Sequence, residues 1–245
     1  MKLVSCQVFR THDRGRPVVN GFVSYVHPSE PHLMLCTGYE DYSDAYDEYA
    51  ASLSRDHGVT WSGPEMVYAG REVEGGRLRY AEPAAFYDAE RDRLVVLADE
   101  NFYPRDTLDV DGVCRVVART RDGATGSWSA IEPLDLTPGR SLAVSFSFAL
   151  AGADGRVLVP AMRPLLDGDG KPVHYRGCWA TADEPLVLIG ERAAGEGAPG
   201  SATAAGWRWH LSDPVPVDLE RTSRGLNENT LAELADGRLA MVCRG

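Results

Sequence analysis

Apolar residues occur along the chain in short runs that are rich in β-branched and aromatic residues and separated by Gly, Pro, Asp and Asn. Runs of this kind, bounded by turn residues, are typical of strands. No segment of eleven or more residues has apolar positions at the 3.6-residue period of an amphipathic helix. The pattern therefore predicts an all-β protein with little helix. The clearest predicted strands lie at residues 18–26, 32–37, 48–54, 84–87, 94–98 and 114–120.

A hairpin of two predicted strands recurs four times. Its second strand opens at Leu33, Leu94, Val157 and Leu239, so the steps between copies are 61, 63 and 82 residues. Each step has room for four strands, and a third strand is predicted after each of the first three hairpins. The longer last step contains the Ala- and Gly-rich segment 193–206, which we interpret as an inserted flexible loop. The three predicted third strands lie at residues 48–54, 114–120 and 175–181.

Four-stranded antiparallel units repeated around an axis are typical of a β-propeller. By this spacing the chain contains about three and a half blades, in a single partial propeller domain. The predicted blades lie at residues 18–70, 80–135, 143–218 and, incomplete, 226–245.

Two turns that follow predicted third strands share an unusual sequence. Residues 54–61 read SRDHGVTW, which fits the pattern S-x-D-x-G-x-T-W, and residues 120–128 read TRDGATGSW, with one extra residue before the Trp. Such an Asp can accept hydrogen bonds from turn amides, the Gly can adopt a positive φ, and the Trp can pack back on the hairpin. The pattern resembles the Asp-box, or bacterial neuraminidase repeat, of sialidases and related propellers.

This resemblance implies a six-bladed propeller with an active site at the centre of one face and the Asp-box turns on the rim away from it. Six blades of the observed spacing need on the order of 370–400 residues. The 245 residues are therefore interpreted as a partial chain that ends within a fourth blade.

The resemblance also implies site residues. Family sialidases use a Tyr nucleophile paired with a Glu, an Asp as general acid and base, and three Arg that bind the substrate carboxylate. Residues 227–239 read NENTLAELADGRL and resemble the family segment that contains this Glu, which makes Glu228 the partner of the Tyr and Arg244 one of the three Arg. A Glu that leads one strand and an Arg that closes its antiparallel neighbour should lie at the same end of a blade.

Three further acids are candidates by the same resemblance. Glu82, which precedes Pro83, lies where the family has an Asp-Pro whose carboxylate contacts substrate. The family's acid/base Asp lies about ten residues before the Asp-box Ser, where Asp44 is found. Asp41 and Asp47 flank it, so the spacing does not single one out. We take Asp44 as the catalytic candidate and Asp41 as a substrate-binding candidate.

Some family features have no match. Asn20 stands where the family has the first of its three Arg, and the third Arg and the nucleophilic Tyr belong to blades beyond these residues. The leading hypothesis is a sialidase-like exo-glycosidase that cleaves a terminal acidic sugar with retention. One alternative is a non-catalytic propeller that binds glycans or a protein partner. Another is an open propeller whose exposed edge pairs with a second copy.

Charge and composition narrow the class of partner. The chain has 25 Lys plus Arg against 36 Asp plus Glu, a net charge of −11, which disfavours nucleic acid. No apolar run is long enough to span a bilayer, and the N-terminus lacks a secretory signal, so a cytoplasmic location is expected by default and secretion stays open. Five scattered Cys and six His show no metal-ligand spacing, so we expect buried free thiols and no metal or other cofactor. The oligomeric state is not indicated.

Overall fold

The computed structural model consists of four antiparallel β-sheets that follow one another along the chain, so the fold is all-β, as predicted. In the described part of the chain no helix is long and apolar enough to cross a membrane. The described residues are 12–13, 16–25, 33–40, 46–104, 113–137, 141–145, 149–152, 154–175, 181–193, 202–222 and 224–245.

We call the four sheets blades 1 to 4 in chain order. Blade 1 contains β1 (His12–Asp13), β2 (Arg16–Tyr25), β3 (Leu33–Glu40), β4 (Tyr46–Ser54) and β5 (Glu65–Tyr68). Blade 2 contains β6 (Arg71–Val73), β7 (Gly76–Asp88), β8 (Arg93–Pro104), β9 (Val113–Asp122) and β10 (Glu132–Pro133). Blade 3 contains β11 (Ala143–Val144), β12 (Leu150–Ala151), β13 (Val157–Pro164), β14 (Asp183–Arg192), β15 (Ala202–Ala204) and β16 (Trp207–Leu211). Blade 4 is the hairpin of β17 (Asn227–Glu233) and β18 (Leu239–Arg244).

Blades 1 to 3 each have four main strands and short additions. In blades 1 and 2 every strand pairs with its neighbour in sequence, and β1 and β6 are short extensions of this meander. In blade 3 the first strand is interrupted, because β11 and β12 both pair with β13, and β15 adds to the outer strand β16. This agrees with the predicted plan of four-stranded antiparallel units.

The hairpin repeat is visible in the strand starts. The strands β3, β13 and β18 begin at Leu33, Val157 and Leu239, and β8 begins one residue before Leu94. The blade 3 and blade 4 hairpins even share a turn, since each places an Asp carboxylate on the backbone amide of an Arg two residues later. The intervening Gly has φ of 81° in both turns, a conformation that Gly adopts without steric cost.

Two predictions in blade 3 need correction. The strand that pairs with β13 is β14, at Asp183–Arg192, whereas most of the predicted segment 175–181 lies outside the described residues. The apolar run of β14 begins only after Glu184 and Pro185, and its Leu186 and Leu188 are fully buried. The predicted loop 193–206 also contains a strand, because residues 202–204 pair with β16.

Large aromatic residues fill the space between blades 2 and 3. Trp207 and Trp209 of β16 are buried, and the Phe86 ring of β7 meets the Trp207 ring edge-on with 5.1 Å between centroids. Between blades 1 and 2, Tyr68 stacks on Tyr80 at 5.0 Å. Inter-blade packing of this size explains why the sheets are held face to face, since each buried aromatic ring removes a large apolar area from water.

Polar contacts add directional links between blades. The Arg121 guanidinium of blade 2 donates two hydrogen bonds to Glu65 of blade 1, at 2.9 and 3.0 Å. Between blades 2 and 3, the Trp207 indole donates to the buried Asp88 carboxylate at 3.3 Å. Asn229 of blade 4 donates to the Ala161 carbonyl of blade 3 at 2.9 Å. A bidentate Arg–carboxylate pair fixes both distance and angle, so these links help to set how the blades pack.

The turn after β4 has the internal bonding expected from its sequence. The Asp56 carboxylate accepts the Thr60 amide at 2.8 Å and the Thr60 hydroxyl at 2.6 Å. Gly58 has φ of 83°, and the Trp61 indole donates to the Gly58 carbonyl at 3.0 Å. The corresponding turn after β9 is similar, because the Asp122 carboxylate accepts the Thr125 amide at 2.7 Å. These contacts make each turn a self-contained unit.

Candidate functional site

Two β-bulges of the same kind occur in blades 2 and 4. In β7, the two residues between Ala81 and Ala84 oppose a single residue of β8. In β17, the two residues between Asn227 and Thr230 likewise oppose a single residue of β18. The first bulged residue is Glu82 in one case and Glu228 in the other. Their φ angles are 49° and 45°, which are rare for residues other than Gly.

The bulges have a structural consequence for the side chains. A bulge bends its strand and re-aims the extra residue, and strained backbone of this type concentrates at functional sites. Glu82 and Glu228 are each the first residue of the bulge in the first strand of their hairpin, so the repeat places them at equivalent positions. A register shift also occurs in blade 1 between Val18 and Asn20, so the same point of the repeat is irregular there.

Glu228 and Arg244 lie together at one end of blade 4, as predicted. Arg244 is the last residue of β18 and pairs with Asn227 across the hairpin. Its Nη1 donates to the Glu228 Oε1 at 2.6 Å. Both side chains keep substantial exposure, 61% for Arg244 and 36% for Glu228, so this ion pair is open to a ligand.

Glu82 comes close to Glu228 although the two are far apart in the sequence. Burial raises the pKa of Glu82 to about 8, and the negative charge of Glu228 contributes to the same rise. The Glu82 Oε2 atom is buried and has no hydrogen-bond partner among the described residues. The bulges of blades 2 and 4 therefore bring two carboxyl groups to one place.

Asp99 of β8 is a third acid in this place, and sequence reasoning missed it. It is 3% exposed and lies directly opposite Ala81, the residue before Glu82. Its Oδ1 accepts the Val144 amide of blade 3 at 2.7 Å. Burial raises the pKa of Asp99 well above its usual range, and the charge of Glu82 raises it further. The signal that could have found it is an acid at the end of the apolar run 94–98.

The residues beside Asp99 complete the wall of the site. The Glu100 carboxylate is compensated, because it accepts the Tyr80 hydroxyl at 2.8 Å and the Arg115 Nε at 2.8 Å. Burial raises the pKa of the Cys114 thiol, as do the charges of Asp99, Glu82 and Glu100, so the thiol stays protonated. Cys114 and Cys243 are both free and only half-buried, whereas fully buried thiols were expected.

Two more partly buried charged residues, Asp183 and Arg224, lie where blade 3 meets blade 4. The backbone of Asp183 bridges to Gly225, just before the Glu228 bulge, and its carboxylate accepts the Thr181 hydroxyl at 2.9 Å. Burial raises the pKa of Asp183, while Thr181 and Arg224 lower it. The Arg224 Nε is buried and has no hydrogen-bond partner in the described part of the chain. Neither residue was singled out from the sequence.

The remaining predicted acids belong to the loop between β3 and β4. Asp41 and Asp44 lie outside the described residues, as does the side chain of Asn20. Asp47, which flanks them in the sequence, lies in β4, where it is buried and accepts the Arg77 Nε at 3.0 Å and the Arg79 Nη1 at 3.2 Å. Arg79 is itself 1% exposed, so this ion cluster is part of the packing between blades 1 and 2.

The second of the predicted rim turns lies away from this site. The Gly123 amide of that turn donates to the Asp92 carbonyl at 2.7 Å. Asp92 lies in the turn after β7, ten residues beyond Glu82 and its bulge. Among the described residues there is no group of three or more His, Cys, Asp or Glu side chains that could hold a metal ion.

Solved structures of sialidases share this fold. The Hadza microbial sialidase Hz136 superposes with a TM-score of 0.62 at 14% identity, over 91% of this chain and 41% of its own. The NanB sialidase of Streptococcus pneumoniae gives 0.60 at 12%, over 96% of this chain and 50% of its own. The Trypanosoma rangeli sialidase, solved with sialic acid, gives 0.56 at 14%, over 93% and 34%.

These similarities confirm the predicted propeller fold of sialidase type. The chain spans half or less of the length of each of these sialidases. No protein-family model matches the sequence, and no curated protein is similar to it at the sequence level. At such low identity the likeness concerns the fold, and it leaves the chemistry to be argued from the site.

Proposed function

We propose that this chain is part of a sialidase-like exo-glycosidase that removes a terminal acidic sugar with retention of configuration. The turns at residues 54–61 and 120–128 are assigned to the Asp-box type, and they have an architectural role on the rim. The partner is a carbohydrate, a sialoside or another acidic glycan. The observation that carries the proposal is the pair of equivalent bulges that brings Glu82 close to Glu228, beside Arg244.

The proposed chemistry follows from the charges at this place. Arg244 binds the carboxylate of the sugar, and Glu228 draws the proton from a Tyr hydroxyl whose oxygen attacks the anomeric carbon. A neutral Tyr suits an anionic sugar because it does not repel the carboxylate. Asp44 gives a proton to the leaving glycosidic oxygen, and then activates the water that releases the sugar from the Tyr, while Asp41 contacts the substrate.

The Glu228–Arg244 ion pair supports both roles. The Arg244 guanidinium holds the Glu228 carboxylate in place through a 2.6 Å hydrogen bond, and its further N–H groups can donate to a ligand. Glu82 is proposed as a substrate-binding residue beside them. The Arg that the family has at the position of Asn20 is absent here, so the carboxylate is bound by fewer cations and its binding depends more on Arg244.

Turnover of a fluorogenic sialoside tests the proposal, with the longest natural form of the protein that contains these residues. We expect Glu228→Gln to lower kcat by on the order of 100-fold or more, because a positioned base contributes that much. Arg244→Ala should chiefly raise KM. Arg238→Ala is the matched control, since Arg238 lies on the same hairpin, is 77% exposed and, within the described residues, forms its ion pair with the Asp236 carboxylate in the turn.

Either of two results contradicts this assignment. The first is a protein that releases no sugar from any acidic glycoside, and the second is a Glu228→Gln variant whose kcat equals that of the wild type. Saturable binding of acidic sugars without turnover, measured by calorimetry, supports instead the non-catalytic glycan-binding propeller. The replacement of the first Arg by Asn20 favours that second candidate.

A further inference from the structure

We propose that blades 1 and 2 form a second carbohydrate site, in a groove between the turns at residues 54–61 and 120–128, and that this rim groove binds a carboxylate-bearing sugar unit through Arg55. The proposed hydrolysis makes no use of this groove. The choice of an acidic sugar as ligand rests on the proposed function, whereas the groove and its cation do not.

Two adjoining cavities form the rim groove. Their volumes are about 270 and 330 Å³, and they share Leu53, Arg55 and Arg121 as lining residues. Small-molecule sites in proteins have volumes of about 300–1,000 Å³, so the joined cavities are large enough for a sugar unit. Tyr87, which lines the first cavity, lies five residues beyond Glu82 along β7, a separation on the order of 15 Å in an extended strand. The rim groove is therefore separate from the candidate active site.

The lining of the rim groove combines apolar surface with aromatic rings. Leu53 of β4 and Leu94 of β8 supply the apolar surface. Tyr87 and Trp61 each add a half-buried ring. The Trp61 indole donates to the Gly58 carbonyl at 3.0 Å, and this bond fixes the orientation of its ring. Aromatic rings pack against the C–H faces of sugars, so the lining suits a carbohydrate.

The two carboxylates of the rim groove already have partners. Glu65 accepts two hydrogen bonds from Arg121, at 2.9 and 3.0 Å, and Asp92 accepts the Tyr87 hydroxyl. The Gly123 amide of the second turn donates to the Asp92 carbonyl at 2.7 Å. The Arg121 bonds join blade 1 to blade 2, so the groove is formed before a ligand arrives. A preformed site has less ordering entropy to lose on binding.

Arg55 is the cation that stays available to a ligand. It lines both cavities and its side chain is exposed. It forms no hydrogen bond or ion pair with another residue of the described part of the chain. A guanidinium presents several N–H donors in one plane and can bind a carboxylate with two parallel hydrogen bonds. We therefore assign to Arg55 the selection of an acidic sugar, and to the rings of Tyr87 and Trp61 the packing of its body.

Amide chemical shifts in NMR spectra test the site, because they report binding at the place where it occurs. Titration with free sialic acid should shift the amides of Gly58, Thr60 and Gly123 until they saturate. Arg55→Gln should weaken this binding by on the order of tenfold, because a charged hydrogen-bond donor is lost. Arg156→Gln is the matched control, since it makes the same change of charge in the exposed turn of the blade 3 hairpin and should leave the affinity unchanged. N-acetylglucosamine, which lacks the carboxylate, should bind more weakly than sialic acid, and Arg55→Gln should not change its affinity.

Several results overturn the proposal. They are the absence of shifts in the two turns, an affinity of Arg55→Gln equal to that of the wild type, and binding of N-acetylglucosamine as tight as that of sialic acid. Shifts of the same amides on dilution without sugar would mean that a second copy of the chain occupies the groove, which also contradicts the sugar assignment.

The same spectra separate this proposal from the proposed function. Binding at the candidate active site is read from the amides of Asn227 and Glu228. Shifts there without shifts in the two rim turns overturn the rim groove and leave the proposed function in place. Shifts in the rim turns alone support the groove and contradict the assignment of the active site.

Discussion

Replacing Glu82 by Gln is expected to stabilise the protein, by an amount that grows as pH rises. The pKa of Glu82 is raised from an ordinary value of 4.5 to about 8 in the folded protein, chiefly by burial. A group whose pKa is higher in the folded state favours folding fully below its unfolded pKa, and this contribution is lost as pH rises through its folded pKa. Gln does not titrate, so it escapes that loss.

The magnitude follows from the two pKa values. At about 1.4 kcal/mol per pH unit between them, the full effect is on the order of 5 kcal/mol, and the part that the Glu228 charge contributes is shared with that group. The free energy of unfolding of Glu82→Gln relative to the wild type should thus rise from about pH 4.5 and level off above about pH 8. Below that range the two proteins should be similar, because a protonated Glu and a Gln are close in shape and charge.

Urea denaturation at closely spaced pH values measures this difference. Both proteins must unfold in a single transition with equal dependence on urea, so that the midpoints report stability. A difference that does not change with pH, or that shrinks as pH rises, refutes the burial argument for Glu82. If Glu82→Gln is more stable than the wild type but no longer binds sugar, the destabilising burial of Glu82 is retained for function.

Two further predictions concern the packing and the rim. Gly190→Ala should destabilise the protein by about 1–3 kcal/mol, because its Cβ would lie 2.5 Å from the Trp209 ring. Gly168→Ala is the control: its Cβ would meet nothing within 4 Å, so it should have little effect in the same denaturation assay. Asp56→Asn should remove a pH dependence of stability that has the opposite sign. The Thr60 side chain and amide lower the pKa of Asp56 to about 2, so the ionised Asp56 stabilises the fold above about pH 4 and this stabilisation is lost as pH falls. Thermal unfolding at several acidic pH values would detect the difference. An Asn variant with the same acid sensitivity as the wild type would argue against that bonding.

Much of the fold could be predicted from local sequence, because strands and turns depend on neighbouring residues. The hairpin starts at Leu33, Val157 and Leu239 were predicted to the residue, and the last two follow turns of the same Asp-Gly-Arg sequence. The contact of Glu228 with Arg244 was also within reach, because the two lie on one hairpin and antiparallel pairing relates them directly. The third strand of blade 3 was misplaced because the local pattern does not show which of two neighbouring segments pairs with β13, and it is β14 that does so.

The central acids were beyond sequence reasoning. Asp99 carries no motif, and its properties come from burial beneath blade 3, whose Val144 amide it binds. Glu82 was a candidate by resemblance, yet nothing in its neighbours along the chain indicated a raised pKa. Burial and Coulomb repulsion depend on distances between groups, and these groups are brought together by the packing of separate blades.

The amino-acid sequence by itself determined the hairpin unit, its repetition and the chemistry of its turns, because each of these involves residues a few positions apart. Only the tertiary structure decided that Glu82 and Glu228, which are separated by most of two blades, repel each other across one site. The physical reason is that a carboxyl group titrates according to the solvent and charges that surround it, and those are supplied by whichever strands the propeller brings alongside.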